Sequence, residues 1–220
     1  MFETLTQSWP DLQKATEETL LMVGITMTFA ILVGTPVGLL LYVTGRGGLK
    51  ESPAFHQLVS YAVNVLRSFP FIILLVVLIP VTRFIVGTSI GPRAAAVSLS
   101  VAAVPFFARL VEQSLRDVPR GVIDAAIAAG ASTFQIVRDV LIPEAMPALV
   151  SSITVTAISF IAYSAVAGAI GAGGLGDLAI RFGYYRFDTA VMVWCVVFMF
   201  VLVQIVQWLG AWATRRVDKR

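Results

Sequence analysis

The sequence predicts an all-α integral membrane protein with about five transmembrane helices. The first observation is compositional: the 220 residues are 58% hydrophobic and only 13% charged, too little charge to cover a soluble surface. The second is that the apolar residues gather in runs of roughly 20, the length that a spanning helix requires. The third is that most Lys and Arg residues lie outside those runs, as in membrane proteins of fixed orientation.

Each predicted span is an apolar run long enough to cross a bilayer. The runs cover residues 20–43, 58–79, 93–115, 148–170 and 190–213. The first residues lack the basic region of a secretory signal, so the first run is expected to be retained as a span. We expect the whole chain, residues 1–220, to form one transmembrane domain.

The second run is interrupted by polar residues and a proline. Asn64, Arg67 and Pro70 lie inside it, in the stretch NVLRSFP. Arg67 is about nine residues from the predicted inner end, roughly 13 Å, so its guanidinium can reach the headgroups by snorkelling. The alternative is a charge that faces the bundle or a polar pathway.

An odd number of spans places the two termini on opposite faces. Lys and Arg favour cytoplasmic loops, so the richer face is predicted to be cytoplasmic, with the amino terminus outside and the carboxyl terminus inside. The richer face holds Arg46, Lys50, Arg109, Arg116, Arg120, Arg138, Arg215, Arg216, Lys219 and Arg220; the other holds Lys14, Arg83, Arg93, Arg181 and Arg186.

A polar segment, residues 117–147, separates the third and fourth runs and is predicted to be cytoplasmic. Its first half predicts a short helix beginning near Pro119, a residue suited to a first helical turn. Gly130 can adopt the left-handed conformation that ends a helix. One face of this helix is predicted to carry Ile123, Ala126, Ile127 and Gly130.

The second half of the segment predicts another short amphipathic helix. Ser132 and Gln135 have the spacing of a reciprocal capping box. Pro143 is predicted to end this helix by biasing Ile142 away from helical geometry, and Pro147 to begin the fourth span. Two short helices of this kind suit either a packed connection or docking into a groove of a partner protein. The apolar face of the second helix is predicted to carry Phe134, Val137 and Leu141.

The same segment resembles the cytoplasmic motif of binding-protein-dependent (type I) ABC importer permeases, which is written EAA, then G, then an aliphatic residue and P. In that family the motif forms the coupling helix that lies in a cleft of the ATP-binding subunit. Asp124 departs from the usual Glu, because it keeps the negative charge on a shorter side chain. The resemblance assigns ATPase coupling to Asp124, Ala125, Ala126, Gly130, Ile142 and Pro143.

Three further stretches resemble the methionine-uptake branch of that family. They are RSFPFIILL at 67–75, TRFIVGTSIGP at 82–92, and YSAVAGAIGAGGLGDLAIRFGYYRF at 163–187. The glycine-rich part also resembles permeases for compatible solutes. The resemblance implies a permease subunit of the bacterial inner membrane that carries an amino acid, D- or L-methionine, into the cytoplasm by alternating access. It implies as partners two copies of an ABC ATPase, a second copy of the permease and an extracytoplasmic substrate-binding protein.

The chain is not expected to be an enzyme or to hold a cofactor. No G-x-x-x-x-G-K-[ST] loop occurs in the sequence, so ATP and Mg are expected on the partner ATPase. The sequence also contains no ligand-spaced group that predicts a metal site and no cluster of Lys and Arg interleaved with aromatics that predicts nucleic-acid binding. Membrane lipid is the expected surrounding.

The transport pathway is predicted from a row of hydroxyls on the fourth span: Ser152, Thr156, Ser159 and Tyr163. Helical spacing places them on one face, where they could line a wetted path together with Arg67. The alternative is that they bond to carbonyls of their own helix or to a neighbouring helix. Either interpretation is compatible with the spacing.

A glycine run closes the fourth span, and it does not fit a dinucleotide-binding loop because no strand precedes it. Its residues predict close packing and a bend at the outer end of the helix, with an outer gate hinge as the alternative. They are Gly168, Gly171, Gly173, Gly174 and Gly176.

The sequence is also compatible with two other classes of function. A secondary carrier would need a buried ionisable group for coupling, and Arg67 is the only predicted mid-span candidate, with no carboxylate expected at comparable depth. A scaffold protein would need no pathway.

Overall fold

A computed structural model describes residues 2–218 of the chain, with side chains from residue 8 onward. Within that range the chain is helical and contains no strand, which confirms the predicted all-α class. The helices are α1 (Phe2–Phe29), α2 (Thr35–Thr44), α3 (Pro53–Ser68), α4 (Phe71–Val77), α5 (Ile79–Val86), α6 (Pro92–Arg116), α7 (Arg120–Ala128), α8 (Thr133–Gln135), α9 (Ile142–Gly168), α10 (Gly174–Leu178) and α11 (Thr189–Val217).

Four continuous helical stretches of the described chain are long and apolar enough to cross a membrane. A bent pair of helices makes a fifth, so the expectation of about five spans is confirmed. The continuous stretches are Ser8–Thr44, Pro92–Arg116, Thr133–Gly168 and Thr189–Val217.

The first spanning helix is longer than the predicted run of residues 20–43. A π-helical segment, Ala30–Gly34, joins α1 to α2 without a break. The polar residues before position 20 stay helical because they still have an apolar side: Leu12 and Ala15 are buried against α10 and α11, with Leu175 and Cys195 in the same cluster.

The second span is not the continuous helix predicted for residues 58–79, and this expectation is wrong. α3 ends at Ser68, and α4 begins at Phe71 with its axis turned by 99°. Pro70 has no N–H to continue the helix and disfavours helical geometry at the preceding residue. Phe69 accordingly has the extended angles φ −74° and ψ 131°.

The predicted helix end at Pro143 is also wrong. Thr133–Gly168 is one unbroken helix, in which a π-helical segment, Ile136–Leu141, joins α8 to α9. Ile142 keeps the helical angles φ −63° and ψ −48° although a proline follows it. Pro143 lies in the first turn of α9, directly after the π segment. The hydrogen-bond register changes there, so the helix continues although proline has no backbone N–H to donate.

α6 lies at the centre of the bundle. It contacts α1, α2, α3 and α9, and it is the most buried of the four continuous spanning stretches. Close approach of α2 to α6 depends on Gly38, where a Cβ would lie 2.5 Å from the carbonyl oxygen of Ala108 and 2.6 Å from the Cβ of Val111. Small residues permit this kind of backbone contact between membrane helices.

Loops that alternate along the chain lie at opposite ends of the bundle, as expected when each span crosses it once. At one end, Asp117, Glu144 and Asp218 line a common cavity, so Asp218, the last described residue, lies beside the polar segment. At the other end, Glu18, Pro92 and the glycine-rich turn line another. Which end faces the cytoplasm stays a prediction from the distribution of Lys and Arg.

Candidate functional site

The polar segment begins with α7, whose two ends are set by a proline and a glycine. Pro119 precedes the helix with φ −58° and ψ 128°. At the other end Gly130 has φ +80°, its N–H donates to the carbonyl of Ile127 at 2.9 Å, and Ala131 N–H donates to the carbonyl of Ala126 at 3.1 Å. This is the Schellman arrangement, so the predicted helix end at Gly130 is confirmed.

α7 is fixed to the bundle by its inner face. Ile123 is 4% exposed and belongs to the same buried cluster as Ile136 and Leu141 of the long helix. Ala126 is half-buried beside it. Ile127 is 52% exposed, so the predicted single face is divided between the core and the surface. The face predicted for the second helix divides in the same way, because Leu141 is buried and Phe134 is 70% exposed.

The outer face of α7 consists of small residues and one acid. Gly121, Asp124, Ala125 and Ala128 are all exposed. In the described part of the chain the Asp124 carboxylate forms no ion pair. We call these four residues, with exposed Val122 and Ile127 at the edges, the docking surface. Its small side chains let the backbone of a partner come close to the helix.

The other motif positions lie beyond the turn. Ser132 caps the long helix, since Gln135 N–H donates to Ser132 Oγ at 3.4 Å and Ser132 N–H donates to Gln135 Oε1 at 2.8 Å. The predicted capping box is thereby confirmed. Ile142 is half-buried and Pro143 is exposed at the start of α9. The motif therefore covers one short helix, one glycine turn and the root of a spanning helix.

The predicted hydroxyl row is largely bonded within the protein. Ser152 and Thr156 are buried; Ser152 Oγ lies 3.1 Å from Ser114 Oγ on α6, and the Thr156 hydroxyl donates to the Ser152 carbonyl at 2.7 Å. The Ser159 hydroxyl donates to the Val155 carbonyl at 2.9 Å. These contacts are those of the structural alternative, and a pathway role for these hydroxyls stays a prediction.

Two of the pathway candidates do share a cavity. Arg67 and Tyr163 line an opening of about 250 Å³ between α3, α4, α6 and α9. The Tyr163 ring is stacked on Phe71 with centroids 4.7 Å apart and meets Phe160 edge-on at 5.2 Å. Phe106 continues the group, 6.0 Å from Phe160.

A charged cluster on α6 was missed at the sequence level. Arg109, counted there among the loop cations, lies inside the helix pair: it donates to the hydroxyl of Ser60 and, at 3.0 Å, to Asn64 of α3. It also pairs with Glu112 at 2.6 Å, and Arg116 pairs with the same carboxylate at 2.7 Å. Glu112 is 5% exposed, so a carboxylate is buried within the bundle, but it lies near one end of α6 and not at mid-span; the expectation of no carboxylate as deep as Arg67 stays a prediction. The signal was the spacing of three and four residues between opposite charges on one helix.

The glycine-rich segment forms a turn followed by α10. Gly171, Gly173 and Gly174 have positive φ, and a Cβ on Gly168 or Gly176 would run into backbone of the facing segment. The predicted packing and bend are therefore present, while a hinge role is not tested by the geometry. The turn is held by α1, because Glu18 accepts from Gly174 N–H at 2.8 Å and Thr19 Oγ1 accepts from Leu175 N–H at 3.0 Å.

Comparison with known proteins identifies the family to which this architecture belongs. The family described as binding-protein-dependent transport system inner membrane component matches residues 34–219. A Vibrio cholerae protein described as a "probable D-methionine transport system permease protein" is 46% identical over 206 residues, covering 94% of this chain and 92% of that protein. The methionine import system permease protein of Bacillus subtilis is 47% identical over 216 residues, covering 98% and 96%.

The solved structures that this chain resembles point to the same family as these relatives. A chain from inward-facing conformations of the MetNI methionine ABC transporter has a TM-score of 0.93 and 45% identity, with 97% of this chain and 99% of that chain covered. The family match covers well over half of the sequence, and the relatives align over nearly its whole length. This chain belongs to the family of binding-protein-dependent transport system inner membrane components, and it is a multi-pass membrane protein.

Proposed function

We propose that this chain is the permease subunit of an ATP-driven importer that moves methionine into the cytoplasm. The observation that supports it most is the alignment over 97% of the chain, at 45% identity, with a subunit of a methionine ABC transporter. The named relatives from Vibrio cholerae and Bacillus subtilis are described as methionine permeases over nearly the same length.

In this proposal the docking surface receives the ATPase. α7 presents an exposed carboxylate and small residues at one end of the bundle, while Ile123 anchors it to the core. A displacement of α7 therefore displaces Ile136 and Leu141, which pack in the same cluster as Ile123 and belong to the long helix Thr133–Gly168. Because that helix is unbroken, movement at the ATPase is transmitted directly into a spanning helix.

The family supports a proposal for the remaining parts of the assembly. Two copies of the permease form the pathway, two ATPase subunits dock beneath them with ATP and Mg, and a substrate-binding protein delivers methionine from outside. Nucleotide binding shifts the spans between inward-facing and outward-facing states, and hydrolysis resets them. Asp124, Ala125, Ala126 and Gly130 form the coupling helix and its end, and Ile142 and Pro143 begin the helix that it moves.

The proposal is tested by uptake of labelled methionine into vesicles that contain the permease. We expect accumulation only when the ATPase, the binding protein and ATP are all present. Accumulation without the ATPase would identify a secondary carrier. No accumulation with every component present, while another small solute is taken up, would assign a different substrate within the same family.

A further inference from the structure

We propose that the cavity lined by Arg67 and Tyr163 binds the transported amino acid, with Arg67 pairing its carboxylate and the aromatic side chains contacting its thioether. This inference rests on the proposed function, because it takes methionine as the substrate. It adds a binding subsite on the permease itself, at the break in the second span.

The break in the second span creates the cavity. Leu66 and Arg67 come from the last turn of α3, Phe69 from the break, and Phe71 and Leu74 from α4. α6 and α9 close the other side with Ala102, Phe106, Phe160 and Tyr163. Non-helical backbone at membrane depth is tolerated where it lines a cavity or lies buried in protein. The volume of about 250 Å³ lies just below the range of about 300–1,000 Å³ typical of small-molecule sites.

The wall of the cavity suits an unbranched apolar side chain containing sulfur. Four aromatic rings from three helices meet there, with Phe71, Tyr163, Phe160 and Phe106 in stacked and edge-on contacts. Thioether sulfur makes favourable contacts with aromatic rings, often at the ring edge. Phe160 is 1% exposed, so the core holds this ring in place, and the neighbouring rings present their edges to the cavity.

The charge at the cavity suits a carboxylate. Arg67 is exposed on the cavity side, and among the described side chains no Asp or Glu pairs with it. Arginine binds a carboxylate through two parallel hydrogen bonds, and an apolar surrounding strengthens the attraction. Arg109, the other arginine of this helix pair, already has Glu112 as its partner. Arg67 is therefore the cation that is available to a ligand.

The end of α3 supplies a place for the ammonium group. The last carbonyls of a helix lack intrahelical partners and carry partial negative charge. Pro70 has no N–H with which to satisfy them. Arg67 belongs to the same last turn of α3 as these carbonyls, so one helix end supplies both a positive group and partial negative charge for the two charges of an amino acid.

Direct binding to the permease–ATPase complex, without the binding protein, tests this subsite. In lipid nanodiscs, labelled L-methionine is expected to bind saturably, and methioninamide, which lacks the carboxylate, is not expected to compete. Arg67→Gln should weaken methionine binding by about tenfold or more, and Arg67→Lys should restore part of it. Arg83→Gln, a change at an exposed arginine on α5 that lies outside the cavity, is the matched control and should bind as the unmodified complex does.

The contact between the aromatic side chains and the thioether is tested by comparing the binding of methionine and norleucine. Norleucine replaces the sulfur of methionine with carbon, so the unmodified complex should prefer methionine over norleucine, and Phe71→Leu should reduce that preference severalfold. Assembly with the ATPase and thermal stability should stay unchanged in Arg67→Gln, which separates a ligand contact from a structural role.

Other outcomes overturn the subsite or the function separately. If the complex imports methionine with ATP but Arg67→Gln binds it as tightly as before, or if no saturable binding occurs, the subsite is refuted and the proposed function stands. If the unmodified complex imports no methionine, the proposed function fails first. Competition by methioninamide equal to that of methionine would also exclude the assigned role of Arg67.

Discussion

The backbone N–H of Gly174 donates to the Glu18 carboxylate at 2.8 Å, a bond between positions 156 residues apart. Thr19 adds a second bond, to the N–H of Leu175. The glycine-rich turn, which has three residues with positive φ, is thus held in place by the first helix. The glycine pattern predicts the bend and the close packing, but it does not reveal α1 as the partner that holds the turn.

Replacing Glu18 with alanine should destabilise this end of the bundle. The change removes the acceptor for Gly174 N–H, and we expect a loss of about 1 kcal/mol, since the bond is only partly buried. Thermal unfolding in detergent measures the effect. Glu17→Ala is the matched control, because Glu17 is exposed and its carboxylate accepts from Gln13 on the same helix. Equal melting temperatures for the two variants would contradict the assignment.

Gly38 and Gly24 provide a second matched pair. A Cβ at Gly38 would come within 2.5 Å of the Ala108 carbonyl, whereas a Cβ at Gly24 would meet nothing within 4 Å. Gly38→Ala should therefore separate α2 from α6 and cost about 1–3 kcal/mol. Gly24→Ala should be neutral or slightly stabilising, because alanine favours the helix. Unfolding measurements that rank the two variants in the opposite order would exclude the described α2–α6 packing.

Glu112 holds two arginines near one end of α6, so its removal should be costly. Glu112→Ala leaves Arg109, whose side chain is 20% exposed, without a carboxylate partner. Losses of about 3–5 kcal/mol are typical of buried pairs, and we expect about 2 kcal/mol here because both arginines are partly exposed.

Asp139→Ala is the control for the Glu112 variant. Asp139 and Arg138 are 3.8 Å apart with side chains 64% and 72% exposed, and such a pair contributes little to stability. Unfolding experiments should show no loss for this control. A similar loss in both variants would indicate that the α6 cluster is not a stabilising element.

The sequence predicts the number of spans and the ends of α7 well, because those features depend on local chemistry. Apolar runs mark the spans, Gly130 ends its helix through a conformation that glycine favours, and Ser132 with Gln135 forms a capping box within four residues. The match between expectation and structure is best where a few neighbouring residues determine the geometry.

The two prolines show where local reasoning is insufficient. Pro70 breaks its span by 99°, while Pro143 leaves its helix intact. The difference lies in the surroundings. A π-helical segment precedes Pro143, and Leu141 and Ala145 are buried around it, whereas Phe69 lines a cavity and both Phe69 and Pro70 are exposed. Packing and hydrogen-bond register decide between a break and a continuous helix, and neither is visible in the residue pattern alone.

In the proposed mechanism the docking surface transmits ATP hydrolysis to the spans, and ATP-dependent methionine uptake by Ala125→Trp tests this role most directly. Ala125 is exposed on the outer face of α7, so a large ring there should block the approach of the ATPase without disturbing the core. Ala54→Trp, at an exposed alanine in the first turn of α3, is the control. We expect Ala125→Trp to abolish uptake while the permease stays folded, and Ala54→Trp to retain it. Full ATP-driven uptake by Ala125→Trp would contradict the account.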